Sequence, residues 1–515
     1  MGRRKIPTEV KLAEALKSAK ELSIDGVLSA RDLKDSHRKI LDDHGCLYKI
    51  YTTWFALVMP GVESGDTVPL MSSYWTFIRL YSRKHLGDDW WLSSLSSIAV
   101  HAGDEHIPTQ LHINTSKKHA KNIELKGGYG IAFYQQTGTP PNMVETIDSG
   151  LNVIKAHIAL MLLSGNNFKD PSPSMLAIAH NLKLAEVSEI VAALKQTGAQ
   201  IGGERVYTLL KSCGKTREAK ALFDGLARLD MAIKGEESTN TYTLGASRIK
   251  SPIATRIKLK FQQYSESIKA SGHYPVCKKV DFKNSDFEFV RDSINATYVS
   301  DAYHSLSIEN YRVTKELIEK IASNNWDPEG HDGDKKHLDA FAAKGYNNAF
   351  RQILEDLKSV HDGENVVEVV SYGYMSWREL LFSEQVNAGL LDAGVLSGFR
   401  NKPIFIKTSS HVPPAHEKLM DAMDVFFEAL GEEDDPWVRA VLGHFFLVHI
   451  HPFSDGNGRT ARFLMNVFLV ASGYPWLVIV KEDKKRYFEC LEKAHINEDI
   501  DSFAVFLADG LSGKK

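Results

Sequence analysis

A histidine, an aspartate, two arginines and an asparagine set between glycines fall within the stretch His451–Arg462, HPFSDGNGRTAR. These are the residue types that a magnesium-dependent phosphate site requires. His451 is a titratable base, and Asp455 is a hard oxygen ligand of the kind Mg²⁺ selects. Gly456-Asn457-Gly458 is a flexible turn rich in backbone N–H donors. Arg459 and Arg462 are permanent cations whose planar forks match phosphate oxygens.

The flanking residues must position that chemistry. Trp437 to Ile450 is apolar nearly all round, which predicts a buried helix. Pro452 ends it. The following TARFLMNVFLVASG returns to helical composition and stops at Gly473, with Tyr474-Pro475 beyond. The turn at 456–458 would therefore sit at the N-terminus of the second helix, where unpaired N–H groups and the positive dipole end favour an anion. Arg459 and Arg462, three apart, can face that anion from one side. Phe453 is expected to point inward as an anchor, and His444 and His449 to be structural histidines of the first helix.

This stretch resembles the signature of the Fic family, H-x-F-x-[D/E]-G-N-G-R-x-x-R, with every specified position filled. The resemblance implies a helical Fic domain that transfers AMP from ATP to a hydroxyl side chain of a target protein. It casts His451 as the base that takes the hydroxyl proton and Asp455 as the Mg²⁺ ligand. Gly456, Asn457 and Gly458 would cradle the phosphates, Arg459 would balance charge in the transition state, and Arg462 would hold the γ-phosphate. Relatives that move a terminal phosphate carry a bulky basic residue where Gly458 stands. Upstream, Ser305-Leu306-Ser307-Ile308-Glu309-Asn310 is similar to the family's inhibitory pattern [S/T]-x-x-x-E-[G/N], which implies a carboxylate, Glu309, paired bidentately with Arg462. Gly398-Phe399-Arg400, Pro403 to Ile406 and His411-Val412-Pro413-Pro414 are similar to the family's flap, a short β-hairpin over 398–408 on which the target docks through main-chain hydrogen bonds. Tyr487 and Asn497 lie where relatives line the adenine pocket. The resemblance covers roughly residues 290 to 505.

The chain has 515 residues, a net charge of −3 and 43% apolar residues, so its bulk composition points to neither nucleic acid nor membrane. Cys46, Cys213, Cys277 and Cys490 are far apart, a pattern of neither a disulfide scaffold nor a zinc site, and the expected compartment is the cytoplasm. No apolar run is long enough to span a bilayer. A helical stripe runs from Thr8 to Leu22. Ser29 and Ser36 read as caps of two short helices, Ala30–Leu33 and His37–His44, and Leu47 to Val58 reads as strand or wing. Three helices followed by strand material is the order of a winged helix. It would place Arg38 and Lys39 on the recognition helix, with DNA as a candidate partner. Strand-like pieces at Gln110–Ile113 and Gly130–Tyr134 follow, then helices over 151–230. This region weakly resembles the antitoxin-type regulators of abortive-infection systems, through WWLSSLSSIAVH and CGKTREAKALF. Gly214-Lys215-Thr216 is not a P-loop, because Leu209 stands where its first glycine is required.

The expected organisation is a mainly α chain. A winged-helix module spans 1–95, an α+β to helical regulatory region 96–230, a polar linker 231–285, and a Fic domain with its inhibitory helix 286–515. The leading expectation is an autoinhibited protein adenylyltransferase using ATP and Mg²⁺. Two alternatives keep the same residues: an enzyme that removes AMP with Glu309 as the base for water, and a DNA-binding regulator whose Fic domain senses nucleotide.

Overall fold

The computed structural model describes residues 8–513 apart from 64, 119–120, 137–140, 232–240, 243, 245–250, 324 and 326–333. The fold is mainly helical. It divides into two compact units: residues 1–245 with Phe405–Val412, and residues 246–404 with Pro413–Lys515.

The first unit begins with α1 (Thr8–Leu22), β1 (Val27–Ser29), α2 (Asp35–Asp43), β2 (Leu47–Tyr51) and β3 (Trp54–Leu57), the three strands ordered β1-β3-β2. The first helix and the strand pair lie where the sequence places them. The short helix expected over Ala30–Leu33 is a turn instead, closed by Asp32 N–H to Ser29 O, and Ser29 belongs to β1. Among the described residues, two helices therefore precede the strand pair. On α2, Arg38 lies 3.3 Å from Asp35, so one of the two cations proposed for DNA is already partnered by an acid of its own helix.

Next come α3 (Val68–Leu86), β4 (Trp91–Leu92), α4 (Ser94–His101), β5 (Gln110–Thr115), β6 (Lys121–Glu124) and β7 (Gly130–Gln135). The sheet order is β4-β5-β7-β6, with β5 parallel to β7. Leu70, Tyr74, Phe77, Ile78 and Tyr81 recur at helical spacing and pack with Leu111, Ile113, Ile131 and Phe133 of the sheet. A small pair, β8 (Val144–Thr146) and β9 (Asn152–Ile154), leads into α5 (Ala156–Leu162), α6 (Pro173–Asn181), α7 (Leu184–Thr197), α8 (Gln200–Ser212) and α9 (Thr216–Arg228).

The linker expected over 231–285 is corrected in its second half, while residues 232–240, 243 and 245–250 lie outside the described residues. Pro252–Ser271 is a twenty-residue helix, α10, capped by Ser251 Oγ on Ala254 N–H. Its core face was hidden among charged letters. Ile253, Ala254, Ile257, Phe261, Tyr264 and Ile268 enter the core, while Lys258, 1% exposed, is neutralised by Glu428 and Glu432 at 2.6 and 2.8 Å. A buried ammonium is tolerable only when paired in this way.

The rest of the second unit comprises α11 (Phe287–Asn295), α12 (Tyr298–Ile308), α13 (Lys315–Ala322), α14 (Asp334–His361), α15 (Val366–Asn387), α16 (Leu419–Glu432), α17 (Pro436–Ile450), α18 (Asn457–Ala471), α19 (Lys484–Ile496) and α20 (Asp501–Leu511). Asp435 caps α17 by accepting from the N–H groups of Trp437 and Val438, and Pro436 occupies the first turn, where no N–H is needed. Helices α17 and α18 run through the centre of one apolar core. Between them lies the loop 451–456.

The hairpin expected over 398–408 does not form, since no strand occurs between Phe399 and Pro414. Within the first unit, Thr67 Oγ1 donates to Ser409 O at 2.7 Å, Tyr129 OH donates to Ser410 Oγ at 2.8 Å, and Phe405 and Val412 pack against the core of that unit.

Candidate functional site

His451 is the C-terminal cap of α17, held in the left-handed region at φ 51°, ψ 58°. This is an uncommon conformation for a residue with a Cβ. It turns the chain sharply out of the helix and sets the imidazole at the mouth of the loop. Nδ1 lies 3.2 Å from Val448 O, so Nδ1 carries the proton and Nε2 is left with the lone pair. Burial pushes the imidazole down to about 4, against the raising effect of the Val448 carbonyl, so His451 is neutral at neutral pH.

The loop is closed by Asn457, whose Oδ1 accepts from Phe453 N–H at 3.0 Å and whose Nδ2 donates to Phe453 O at 2.8 Å. That side chain is committed to the loop, and the turn's amides are what remain for a phosphate. Phe453 is fully buried, as an anchor should be. Gly456, at φ 91°, caps α18, and a Cβ there would lie 3.0 Å from the Phe382 ring. Asp455 is exposed over 64% of its side chain, and its contacts, from Gly456 N–H at 2.6 Å and Arg459 Nη2 at 3.3 Å, fall on Oδ1. Oδ2 is therefore the oxygen left for a cation. Arg459 is 1% exposed, between the rings of Phe382 and Tyr311, and its Nε and Nη1 have no hydrogen-bond partner among the described residues. An unsatisfied buried guanidinium is costly, and a phosphate oxygen is the group that would satisfy it.

Arg462 faces α12. It donates from Nε to Ser305 Oγ at 3.0 Å, and from Nη2 to Ser305 O at 3.2 Å and Glu309 Oε1 at 2.9 Å. The expected two-point pairing with Glu309 is thus a single charged hydrogen bond, because Ser305 occupies the Nε edge of the fork. Burial alone would raise the Glu309 carboxyl, but Arg462, with Arg459 and Lys484, outweighs it and holds Glu309 below the usual range. The last position of the 305–310 pattern has a geometric reason: Asn310 lies at φ 69°, which glycine and asparagine adopt most readily. Gly458 is tied to the same contact, for a Cβ there would lie 2.6 Å from Glu309 Oε1 and 3.2 Å from Arg462 Nη1.

One turn before Ser305, Asp301 is buried and accepts from Tyr346 OH at 2.6 Å. Burial pushes its carboxyl up to about 6, with Tyr346, Trp476 and Arg462 opposing. Tyr487 is 1% exposed, its hydroxyl 2.9 Å from His444 Nε2 and its ring among Phe488, Phe503 and Phe506. It is packed in the core rather than lining an open pocket, whereas Asn497 is exposed at the end of α19. His444 is the hydrogen-bonded core histidine expected of it, and burial pushes it down to about 3. His449 likewise faces His495, Nδ1 to Nδ1 at 3.0 Å.

Two buried arginines outside the motif were not singled out as functional by sequence reasoning. Arg378 on α15 donates to Asp455 O at 3.2 Å, Leu396 O at 2.8 Å and Val395 O at 3.2 Å. Arg400 donates to His451 O. The signal for the first was a lone cation in the aromatic run around Trp377. A cavity of about 430 Å³ opens beside the loop, lined by Val395, Phe399, Arg400, Lys402, Ile404 and Ser454 among others.

Residues 377–469 match the Fic/DOC family. The Nematostella vectensis protein named Protein adenylyltransferase Fic is 30% identical over 223 residues, 42% of this chain and 48% of that protein. The protein of the same name from Culex quinquefasciatus is 30% identical over 216 residues, 41% of this chain and 40% of that one. The match thus spans half or less of the length of these relatives. A solved structure, Fic-1 (residues 134–508) from C. elegans, is 17% identical, covers 70% of this chain and 96% of its own, and has a TM-score of 0.37. The resemblance of the N-terminal region to antitoxin-type regulators receives no support from these matches. The region that resembles the Fic/DOC family thus includes the His451–Arg462 stretch.

Proposed function

We propose that this chain is a protein adenylyltransferase that moves AMP from ATP to a hydroxyl of a target protein and is held back by its own α12. The observation that carries the reading is the joining, on one short loop and the first turns of α18, of a neutral imidazole with its Nε2 lone pair, an exposed carboxylate, and two buried guanidinium groups with N–H donors left over. In the transfer, the acceptor oxygen forms a bond to the α-phosphorus while the bond from that phosphorus to the α,β-bridging oxygen breaks. The leaving pyrophosphate carries away the electron pair, and the hydroxyl proton passes to His451 Nε2. Arg459 and the amides at the start of α18 stabilise the charge, and Arg462 holds the terminal phosphate once Glu309 withdraws. Asp455 is the residue that would hold Mg²⁺, and its exposure and uncontacted Oδ2 fit that role. Bound there, the ion would neutralise phosphate charge. The 398–408 segment is the proposed docking site of the target, and its residues 399–404 line the cavity with Ser454.

Reversal is a second reading, favoured by one observation. Glu309 is ionised and 31% exposed, so it can take a proton from water during removal of AMP. Among the described residues, no helix is long and apolar enough to cross a membrane. Incubating the protein with Mg²⁺, cell lysate and ATP labelled at the α-phosphate, followed by mass spectrometry of labelled bands, tests the activity and identifies the target. Absence of label from wild type and Glu309→Gly alike counts against it.

A further inference from the structure

Arg400 lies outside the signature, is 8% exposed, and makes four hydrogen bonds, all to main-chain carbonyls. Its Nε donates to His451 O at 2.8 Å, Nη1 to Lys402 O at 3.1 Å, Nη2 to Pro414 O at 2.5 Å, and its backbone N–H to Pro452 O at 2.9 Å. We propose that Arg400 is a positioning residue for the transfer, fixing the carbonyl of the base together with the carbonyls of Lys402 and Pro414 so that His451 and the acceptor hydroxyl are presented in one geometry. This rests on the transfer reading above.

No carboxylate hydrogen-bonds to Arg400 among the described residues, and burial pulls its pKa down to about 10, with Glu417 only partly opposing. A buried cation held by carbonyls alone is a poor way to stabilise a fold, since an apolar side chain of similar size would commonly serve as well. What the guanidinium does, and an apolar group cannot, is fix directions. His451 sits in a left-handed conformation that a residue with a Cβ adopts only at a cost, so its peptide must be held from outside. The carbonyl that Arg400 grips is His451's own, and the peptide after it is gripped again through Pro452 O. With both fixed, the ring keeps its Nδ1 contact to Val448 and Nε2 keeps one bearing.

Lys402 lies within the 398–408 segment proposed to dock the target, so one rigid fork holds a carbonyl of that segment and the carbonyl of the base together. Arg378 performs the matching task at the other end of the loop, through Asp455 O. The positive charge of Arg400 is also among the influences that keep His451 in its neutral, basic form.

The test uses the full chain in a Glu309→Gly background, comparing it with added Arg400→Gln, Arg400→Lys and His451→Ala. The rate at saturating ATP, the KM for ATP, the ATP affinity by calorimetry and the melting temperature are measured for each. A base displaced by about 1 Å loses on the order of a hundredfold in rate. Arg400→Gln is therefore expected to slow label transfer by about 10- to 100-fold with ATP affinity unchanged, and Arg400→Lys to recover part of the rate, because one ammonium can reach His451 O but not all three carbonyls. A rate within about twofold of the parent overturns the proposal, as does a fall in rate matched by equal losses of ATP affinity and melting temperature. If Arg400→Gln does not fold, Arg400→Lys decides: an unchanged rate overturns, and a slowed rate with intact ATP affinity supports. A Glu309→Gly parent that gives no label, no different from His451→Ala, sinks the transfer reading and this proposal with it, which distinguishes that failure from a failure of Arg400 alone.

Discussion

Replacing Glu309 by glycine removes one charged hydrogen bond, 2.9 Å long, between a buried guanidinium and a carboxylate 31% exposed. Hydrogen bonds involving a charged group contribute about 1.5–3 kcal/mol net, and partial exposure places this one toward the lower end. Ser305 keeps its two contacts with Arg462 in the variant, so the arginine is not stranded and the fold should survive. A bias of about 1–3 kcal/mol toward the blocked arrangement corresponds to roughly a 5- to 150-fold change in population. Glu309→Gly should therefore raise the initial rate of labelling by a factor in that range. The assay is transfer from α-labelled ATP at saturating Mg²⁺, with melting temperature measured in parallel. Equal rates for wild type and variant, both folded, would refute the assignment of Glu309 as the inhibitory carboxylate. The same pair separates forward from reverse chemistry: if Glu309 is the base for water, the variant loses removal of AMP from a pre-modified target while gaining net transfer.

His451→Ala should cost about 10²–10⁴ in transfer rate, the usual contribution of a general base, with ATP affinity intact; an unchanged rate removes His451 from the mechanism. Asp455→Ala should shift the Mg²⁺ activation curve to higher concentration, and superimposable curves would show that Asp455 is not the ligand. Asp301 supplies a pH test. Its folded carboxyl is raised to about 6, so the stability it contributes is complete below its unfolded value near 3.8 and is lost as pH rises through 6. Asp301→Asn should thus gain on wild type by up to about 3 kcal/mol in unfolding free energy between pH 4 and pH 7. Parallel urea-unfolding profiles across that range would show that Asp301 is not desolvated as the structure places it.

The site was legible because its chemistry is local. His451, Asp455, Arg459 and Arg462 lie within one loop and the first turns of a helix, so spacing alone brings them together. Glu309 was legible through a pattern whose last position, Asn310, records a left-handed backbone. What could not be read was long-range. Nothing in the 305–310 pattern shows that Ser305 takes the Nε edge of Arg462 and leaves Glu309 a single bond. The Pro252–Ser271 helix looked like linker because Lys258 is a core residue only in the company of Glu428 and Glu432, some 170 positions away. The 398–408 hairpin is a related case: alternation predicts a strand, but Ile406 O accepts instead from Thr67 Oγ1, more than three hundred positions earlier. The resemblance puts Tyr487 at an adenine pocket, whereas its hydroxyl meets His444, forty-three positions earlier on another helix.

The proposed transfer moves AMP, rather than phosphate, from ATP to a protein hydroxyl. It is tested most directly by giving Glu309→Gly two portions of ATP, one labelled at the α-phosphate and one at the γ-phosphate, and asking which label remains on protein after denaturation. Retention of the α-label with loss of the γ-label, abolished by His451→Ala, is the predicted result. Retention of the γ-label, or α-label retention that survives the loss of His451, would contradict it.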